Sequence, residues 1–206
     1  MEDEPRPPDW AVDGADRLDP GGFGRAFAEC WQSSPSGMDK VEAWQTYDEP
    51  GAGSLRAFEA GDYPAFSALA EAETEAEGFV YDDLRLRGKS LRRQRVVRLP
   101  LSPYLEWEFW QYRIRTRLGE VVEIIDAGDS QLSSYFDCLL FGASVALVQD
   151  YRAGGQLAGG WLVTGRPALA GIADLVAGLR VRSVPLETFI AERRIKLPGE
   201  GKIRAI

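Results

Sequence analysis

"LSPYLEWEFWQYRIRTR", residues 101–117, sets five aromatic rings, two carboxylates and three arginines in one short run. Alternation predicts a strand over residues 105–116. Leu105, Trp107, Phe109, Gln111, Arg113 and Arg115 then lie on one face, and Glu106, Glu108, Trp110, Tyr112, Ile114 and Thr116 on the other. Neither face is purely apolar, which suits a strand between a helix layer and a partly wet groove. Glu106 and Glu108, about 6–7 Å apart on one strand face, offer a general acid and base, with Tyr104 or Tyr112 as proton donor. Arg113 and Arg115 would hold an anionic substrate. The structural reading of the same residues is an ion-paired core wall, with Trp107 and Trp110 packing a core or lining a pocket.

The flanking segments extend this reading. "GFGRAFAECWQ" (22–32) predicts a short helix, and "KVEAWQTY" (40–47) a strand. A turn cluster, "DEPGAGS", leads to a short helix with Leu55 and Phe58, and Asp62 with Pro64 starts another. From about residue 91 the pattern turns to β: "LRRQRVVRLPL", "EWEFWQYRIRTR", "EVVEIIDA", "DCLLF", "SVALVQDY" and "LAGGWLVT", joined by Gly, Pro, Asp or Ser. Two Gly-containing turns among the last three predict successive hairpins. After Pro167, Leu169, Ile172, Ala173, Val176 and Leu179 recur at helical spacing, and Leu186, Phe189 and Ile190 mark a last short helix. The expectation is an α+β single domain with a mainly antiparallel meander flanked by helices. Residues 1–21, rich in proline, read as a mobile tail from which Trp10 docks, 22–168 as the α+β body and 169–206 as C-terminal helices.

Composition prunes the functions. The chain of 206 residues has no histidine, which removes every histidine-based triad or nucleophile. Its net charge of −8 disfavours direct nucleic-acid binding. Cys30 and Cys138 are too few for a disulfide framework or thiolate zinc cage, and read as buried free thiols. No apolar run reaches the length of a membrane span and no export signal is present, so the expected location is the cytoplasm.

Charge is also segregated. Residues 48–83 hold ten acids and one base, Arg56, while 85–98 hold seven bases and no acid. The basic segment "RLRGKSLRRQRVVR" predicts a surface for an anion or an acidic partner, with Arg92 and Arg95 its named contacts and Gly88 and Ser90 its loop. Together with Trp107, Trp110, Arg113 and Arg115 they form the expected ligand- or partner-binding set. The competing reading is a strand edge, or a face paired with the acidic helix beside it. "GAGS", "AGGQ" and "AGGW" lack the strand, glycine and helix order of a phosphate loop, so no cofactor is expected. Asp126, Asp129, Asp137 and Asp150 stand near strand ends without calcium-loop spacing, and no metal is expected.

"KVEAWQTYDEP", "SLRAFEAGDYP", "RRQRVVRLPLSPYLEWE", "GEVVEIIDA" and "FDCLLFGASVALVQDYRAGGQLAGGWLVTGRP" together resemble an actinobacterial family, domain of unknown function 6879, over about residues 22–168. Pro100, Leu101, Ser102, Tyr104 and Glu108 match its most specific segment; Gly142 stands where that family has an aspartate. The resemblance implies a cytoplasmic accessory or regulatory protein, partnered by a helix-turn-helix regulator or a small acidic protein, with no catalytic residues to carry over. A more distant resemblance is to phospholipase D-like modules of some regulators, whose histidine chemistry this chain lacks. Two readings follow: a ligand- or partner-binding protein of a regulatory or specialised-metabolism locus, and a histidine-free enzyme using Glu106 or Glu108 on an anionic small molecule.

Overall fold

The structure, a computed structural model, describes residues 4–128 and 130–202. In chain order its elements are α1 (Asp9–Val12), β1 (Asp16–Leu18), α2 (Pro20–Ser33), β2 (Gly37–Glu42), α3 (Gly53–Glu59), α4 (Tyr63–Ala76), α5 (Gly78–Arg87), β3 (Ser90–Val97), α6 (Pro103–Arg117), β4 (Val121–Asp126), β5 (Cys138–Phe141), β6 (Val145–Tyr151), β7 (Leu157–Val163), α7 (Arg166–Arg182), β8 (Val184–Pro185) and α8 (Leu186–Arg193).

The stretch at 101–117 is a helix, and this corrects the strand expected there. Ser102 is its N-cap, accepting the Leu105 N–H at 3.2 Å, and Pro103 supplies a fixed φ at the first helical position. Glu106 in the first turn and Arg115 and Arg117 in the last complement the helix dipole. Nine of its residues are buried, spread round most of its circumference, with Glu106, Arg113 and Arg117 on the more open side. A helix enclosed round most of its circumference shows no clean apolar stripe, which is why alternation gave a false period.

That helix changes the topology. The sheet order is β1-β7-β6-β5-β2-β3-β4-β8. β2, β3 and β4 are parallel, with α3 to α5 crossing between the first two and α6 between the last two. The sheet is therefore mixed rather than mainly antiparallel. The meander holds for β5, β6 and β7, and β5 pairs antiparallel with β2. Residues 9–18 are no mobile tail: β1 pairs with β7, and the Trp10 ring meets Phe136 edge-on at 5.8 Å. At the start of β2, Gly37 sits at φ 93° with Ser90 so near that a Cβ would fall 1.9 Å from its carbonyl oxygen.

Both sheet faces are covered. One packs on α1 and α7 through Val41, Val96, Ile125, Val148, Ile172 and Leu179. The other carries two apolar clusters, one with α2 and α5 around Met38, Leu91 and Phe141, the other with α3, α4, α6 and α8 around Trp44, Val97, Phe109 and Phe189. Between these clusters runs a charged stripe. On β2 this face reads Met38, Lys40, Glu42, with Trp44 just beyond the strand end, and on β3 Leu91, Arg93, Arg95, Val97. No helix among the described residues is long and apolar enough to cross a membrane.

Because Ser102 caps α6, Ser102→Ala should lower unfolding stability by about 1 kcal/mol. Denaturant titration of both proteins checks this, and an unchanged midpoint would speak against the cap.

Candidate functional site

The charged stripe is tied together by ion pairs. Glu42 receives Arg93 Nη1 at 2.7 Å on both oxygens, Lys40 Nζ at 2.6 Å and the Tyr112 hydroxyl at 3.0 Å. Arg93 Nε also donates to Glu120, which is buried just before β4. Arg95, fully enclosed, donates from Nε to Glu108 Oε2 at 2.9 Å and lies over the Tyr47 ring at 5.4 Å. Burial alone would raise the Glu42 carboxyl, but Arg93, Lys40 and Arg95 outweigh it and hold Glu42 well below the usual carboxylate range. Burial pushes Glu108 up despite the pull of Arg95, with the Glu42 charge adding to the rise.

A second buried carboxylate anchors the neighbouring loop. Asp137 Oδ1 accepts the Ala43 N–H at 2.7 Å, and Oδ2 accepts the hydroxyls of Tyr47 at 2.5 Å and Tyr151 at 3.1 Å. Burial raises this carboxyl, against the lowering effect of its hydrogen bonds. Burial raises Tyr47, Tyr104, Tyr112 and Tyr151, so these phenols are hydrogen-bond donors at neutral pH.

Over this base opens a cavity of about 510 Å³, within the ordinary range for small-molecule sites. Its walls come from β2 and the loop after it, β3, α4, α6 and the β6–β7 hairpin. It lies beyond the C-terminal end of β2, where a parallel neighbour on one side gives way to an antiparallel one on the other. An aromatic row, Trp44, Tyr151, Tyr47, Tyr104 and Trp107, runs beside it with successive ring centroids 5.2–5.9 Å apart. Arg115 closes one side, held by Glu77 at 2.6 and 2.8 Å.

The residues expected from sequence are divided by the helix. Tyr104, Trp107, Glu108, Tyr112 and Arg115 line the cavity. Glu106 does not, because two positions on a helix face different directions. The proposed Glu106 and Glu108 acid–base pair is therefore broken. Trp110 donates to the Pro198 carbonyl at 3.0 Å, and Arg113 grips Glu187 on α8 at 2.7 and 2.9 Å, both away from the cavity. Arg95 is buried with Glu108, and Arg92 pairs with Glu123 at 2.9 Å beside Asp39. The basic segment is thus the end of α5 and a central strand, not an exposed loop, and Gly88 is the left-handed cap of α5. Both cysteines are free and buried. Asp126 and Asp150 pair with Arg193 and Arg17, and Asp129 lies outside the described residues. Among the described residues no three Asp, Glu or Cys side chains converge as a metal cage.

Sequence reasoning missed Lys40, Glu42, Tyr47, Glu49, Arg93, Asp137, Gln111, Gln149 and Tyr151. The available signal was the pair of strand faces with two charged residues between apolar ones.

The chain belongs to the family described as Domain of unknown function (DUF6879). The family model matches residues 25–191, which contain every cavity residue named above. No curated protein and no solved structure matches the chain.

Breaking one partner of a buried pair strands a charge. Arg95→Met or Glu108→Gln alone should destabilise by about 3–5 kcal/mol, and the double variant should recover much of that loss in a double-mutant unfolding cycle. Glu49 gives a test of pH. Glu49 stands exposed at the cavity mouth, yet the walls crowded around it desolvate its carboxyl and raise the folded value above the ordinary 4.5. The folded state therefore takes up this proton first, a stabilisation present below 4.5 and lost as pH rises through the folded value. Melting temperatures of wild type and Glu49→Gln should converge or cross in favour of the wild type on acidification, and a constant difference would count against the raised value.

Proposed function

We propose that this protein is a small-molecule-binding protein with an accessory or regulatory role, and that the cavity between α6 and the ends of β2 and β3 is its binding site. The observation that carries this is a roomy cavity with walls that are already fixed. Its aromatic row and its tyrosine hydroxyls are held by buried ion pairs and by Asp137, so little ordering remains to be done on binding. The anion grip expected of Arg113 and Arg115 has little support, since both guanidinium groups are engaged by carboxylates.

One observation favours a second reading, catalysis. The Tyr104 hydroxyl lies 3.4 Å from Glu49 and 3.5 Å from Glu108, and desolvation raises both carboxyls, Glu108 inside the protein and Glu49 at the crowded mouth. A raised carboxyl beside a phenol donor can pass a proton to bound substrate. The pair is Glu49 and Glu108 rather than Glu106 and Glu108.

Native mass spectrometry of the full chain, purified gently, should show a retained small molecule, and a metabolite panel should contain compounds that raise the melting temperature. A chain free of adduct and unmoved by every compound would sink the binding reading. Tyr104→Phe separates the two readings. A binding protein should keep affinity within about threefold, whereas an enzyme should lose on the order of a hundredfold or more in turnover.

A further inference from the structure

Resting on that reading of the cavity, two side-chain amides restrict what can occupy it. Gln111 is 5% exposed, and its Nε2 donates to Ser54 Oγ at 2.9 Å. Ser54 has one hydroxyl proton, and that proton goes to Glu73 Oε2. Trp107 Nε1 donates to the same Ser54 oxygen at 3.1 Å. Ser54 can only accept from Gln111, so the amide is locked with its N–H₂ toward Ser54 and its carbonyl elsewhere. That carbonyl, Oε1, is buried and has no hydrogen-bond partner among the described residues.

The same logic repeats across the cavity. Asp137 takes the Tyr151 proton, and Gln149 Nε2 donates to the Tyr151 oxygen at 2.7 Å. Gln149 is thereby locked as well, and its buried Oε1 is also without a partner among the described residues. Two carboxylates thus orient two hydroxyls, which orient two amides. On both of these lining residues the group left without a partner is an acceptor, enclosed in the unliganded protein, and a buried acceptor left unpaired is costly unless something donates to it.

Charge points the same way. The three cations of the lining are engaged: Lys40 and Arg93 by Glu42, Arg115 by Glu77. Asp48 and Glu49 at the mouth have no cation partner among the described residues, and neither has Glu73. Arg93 and Arg95 already cover the rings of Tyr112 and Tyr47. Tyr104, Trp107 and Tyr151 are the ring walls not covered in this way. Aromatic faces, surplus carboxylates and unpaired carbonyl acceptors are together the chemistry that recognises a protonated amine or guanidine.

We propose that the cavity takes a small organic cation bearing N–H donors, an alkyl- or arylalkyl-amine or a guanidine, with Gln111 and Gln149 accepting its N–H groups and Asp48 and Glu49 drawing its charge. A neutral polyol could satisfy the amides but leaves the mouth carboxylates unanswered. An anion meets the same carboxylates with repulsion.

The test is calorimetric titration of the full chain with a matched series: phenethylamine, its uncharged counterpart phenethyl alcohol, its anionic counterpart hydrocinnamate, and the trimethylated ammonium, with agmatine as the guanidine probe. The amine and agmatine should bind, with the alcohol and the anion at least about tenfold weaker. The trimethylated form, charged but without N–H donors, should fall between them. Glu49→Gln and Asp48→Asn, both at exposed positions, should each weaken the amine several-fold without altering the fold. Gln111→Met should weaken it by about tenfold while leaving the unliganded protein as stable or more so, because an unpaired acceptor is removed. Equal or tighter binding of the alcohol, the anion or the trimethylated form would overturn the inference and leave the cavity standing as a site for another ligand. Failure of every probe would overturn it too, and whether the cavity binds anything is then decided by the retained mass and the metabolite panel.

Discussion

Two arginines on the middle strand of the parallel trio, with their guanidinium groups inside the protein, are the constraint from which the rest follows. Arg93 and Arg95 alternate with Gln94 and Val96, so they share the sheet face that α6 covers. A buried guanidinium without a carboxylate is not tolerated, and each arginine fixes its own: Glu42 and Glu120 for Arg93, Glu108 for Arg95. Those carboxylates come from three directions: the neighbouring strand, the approach to β4, and α6. The helix is therefore positioned over the sheet by polar as well as apolar contacts, and two of its faces are free to do different work. One face closes on α8 through Phe109, Arg113 and Glu187, and the cavity opens on another along Tyr104, Trp107 and Gln111.

Buried ion pairs are seldom the most stable filling for such a space, since apolar residues of equal size often do as well or better. What they supply is direction. An apolar stripe in place of Lys40, Glu42, Arg93 and Arg95 would merge the two clusters into one core and leave the hydroxyl of Tyr112 without an acceptor. With the stripe in place, that phenol is aimed and the floor of the cavity is rigid. This is the arrangement expected where orientation of polar groups matters more than a few kcal/mol of stability.

The hairpins of β5 to β7, the Asp62 cap of α4 and the helical spacing of α7 were legible because each is a local pattern. The α6 segment was not, since most of that helix's circumference is buried and its aromatic residues suit either period. Its ends did carry the answer: Ser-Pro at the start, glutamate in the first turn and arginines in the last are a helix signature whatever the middle contains. The misreading then spread. As a strand, 105–116 makes its neighbours antiparallel, leaves Arg92 and Arg95 on an edge, and sets Glu106 beside Glu108. As a helix, it buries β3 as a central strand and turns Glu106 away. The locked orientation of Gln111 and Gln149 lay beyond any sequence pattern, because it depends on Glu73 and Asp137 accepting the Ser54 and Tyr151 hydroxyl protons, from positions 38 and 12 residues distant in the chain.

The site also separates two tasks by rigidity. The acceptors at Gln111 and Gln149 stand on α6 and β6 and are fixed from behind by carboxylates. The mouth carboxylates stand on the loop between β2 and α3, which is exposed at Asp48, Glu49 and Pro50. That loop is fastened to the β6–β7 hairpin by the Asp48 N–H to the Gly155 carbonyl at 3.2 Å. Gly155, at φ 84°, is pressed so closely on the loop that a Cβ would lie 2.4 Å from the Thr46 carbonyl oxygen. Only glycine permits that clasp. Long-range attraction tolerates a loop that moves, whereas discrimination between a donor and a methyl group does not. For the proposed ligand, the division would place charge selection on the exposed loop and donor recognition where the buried network holds it still.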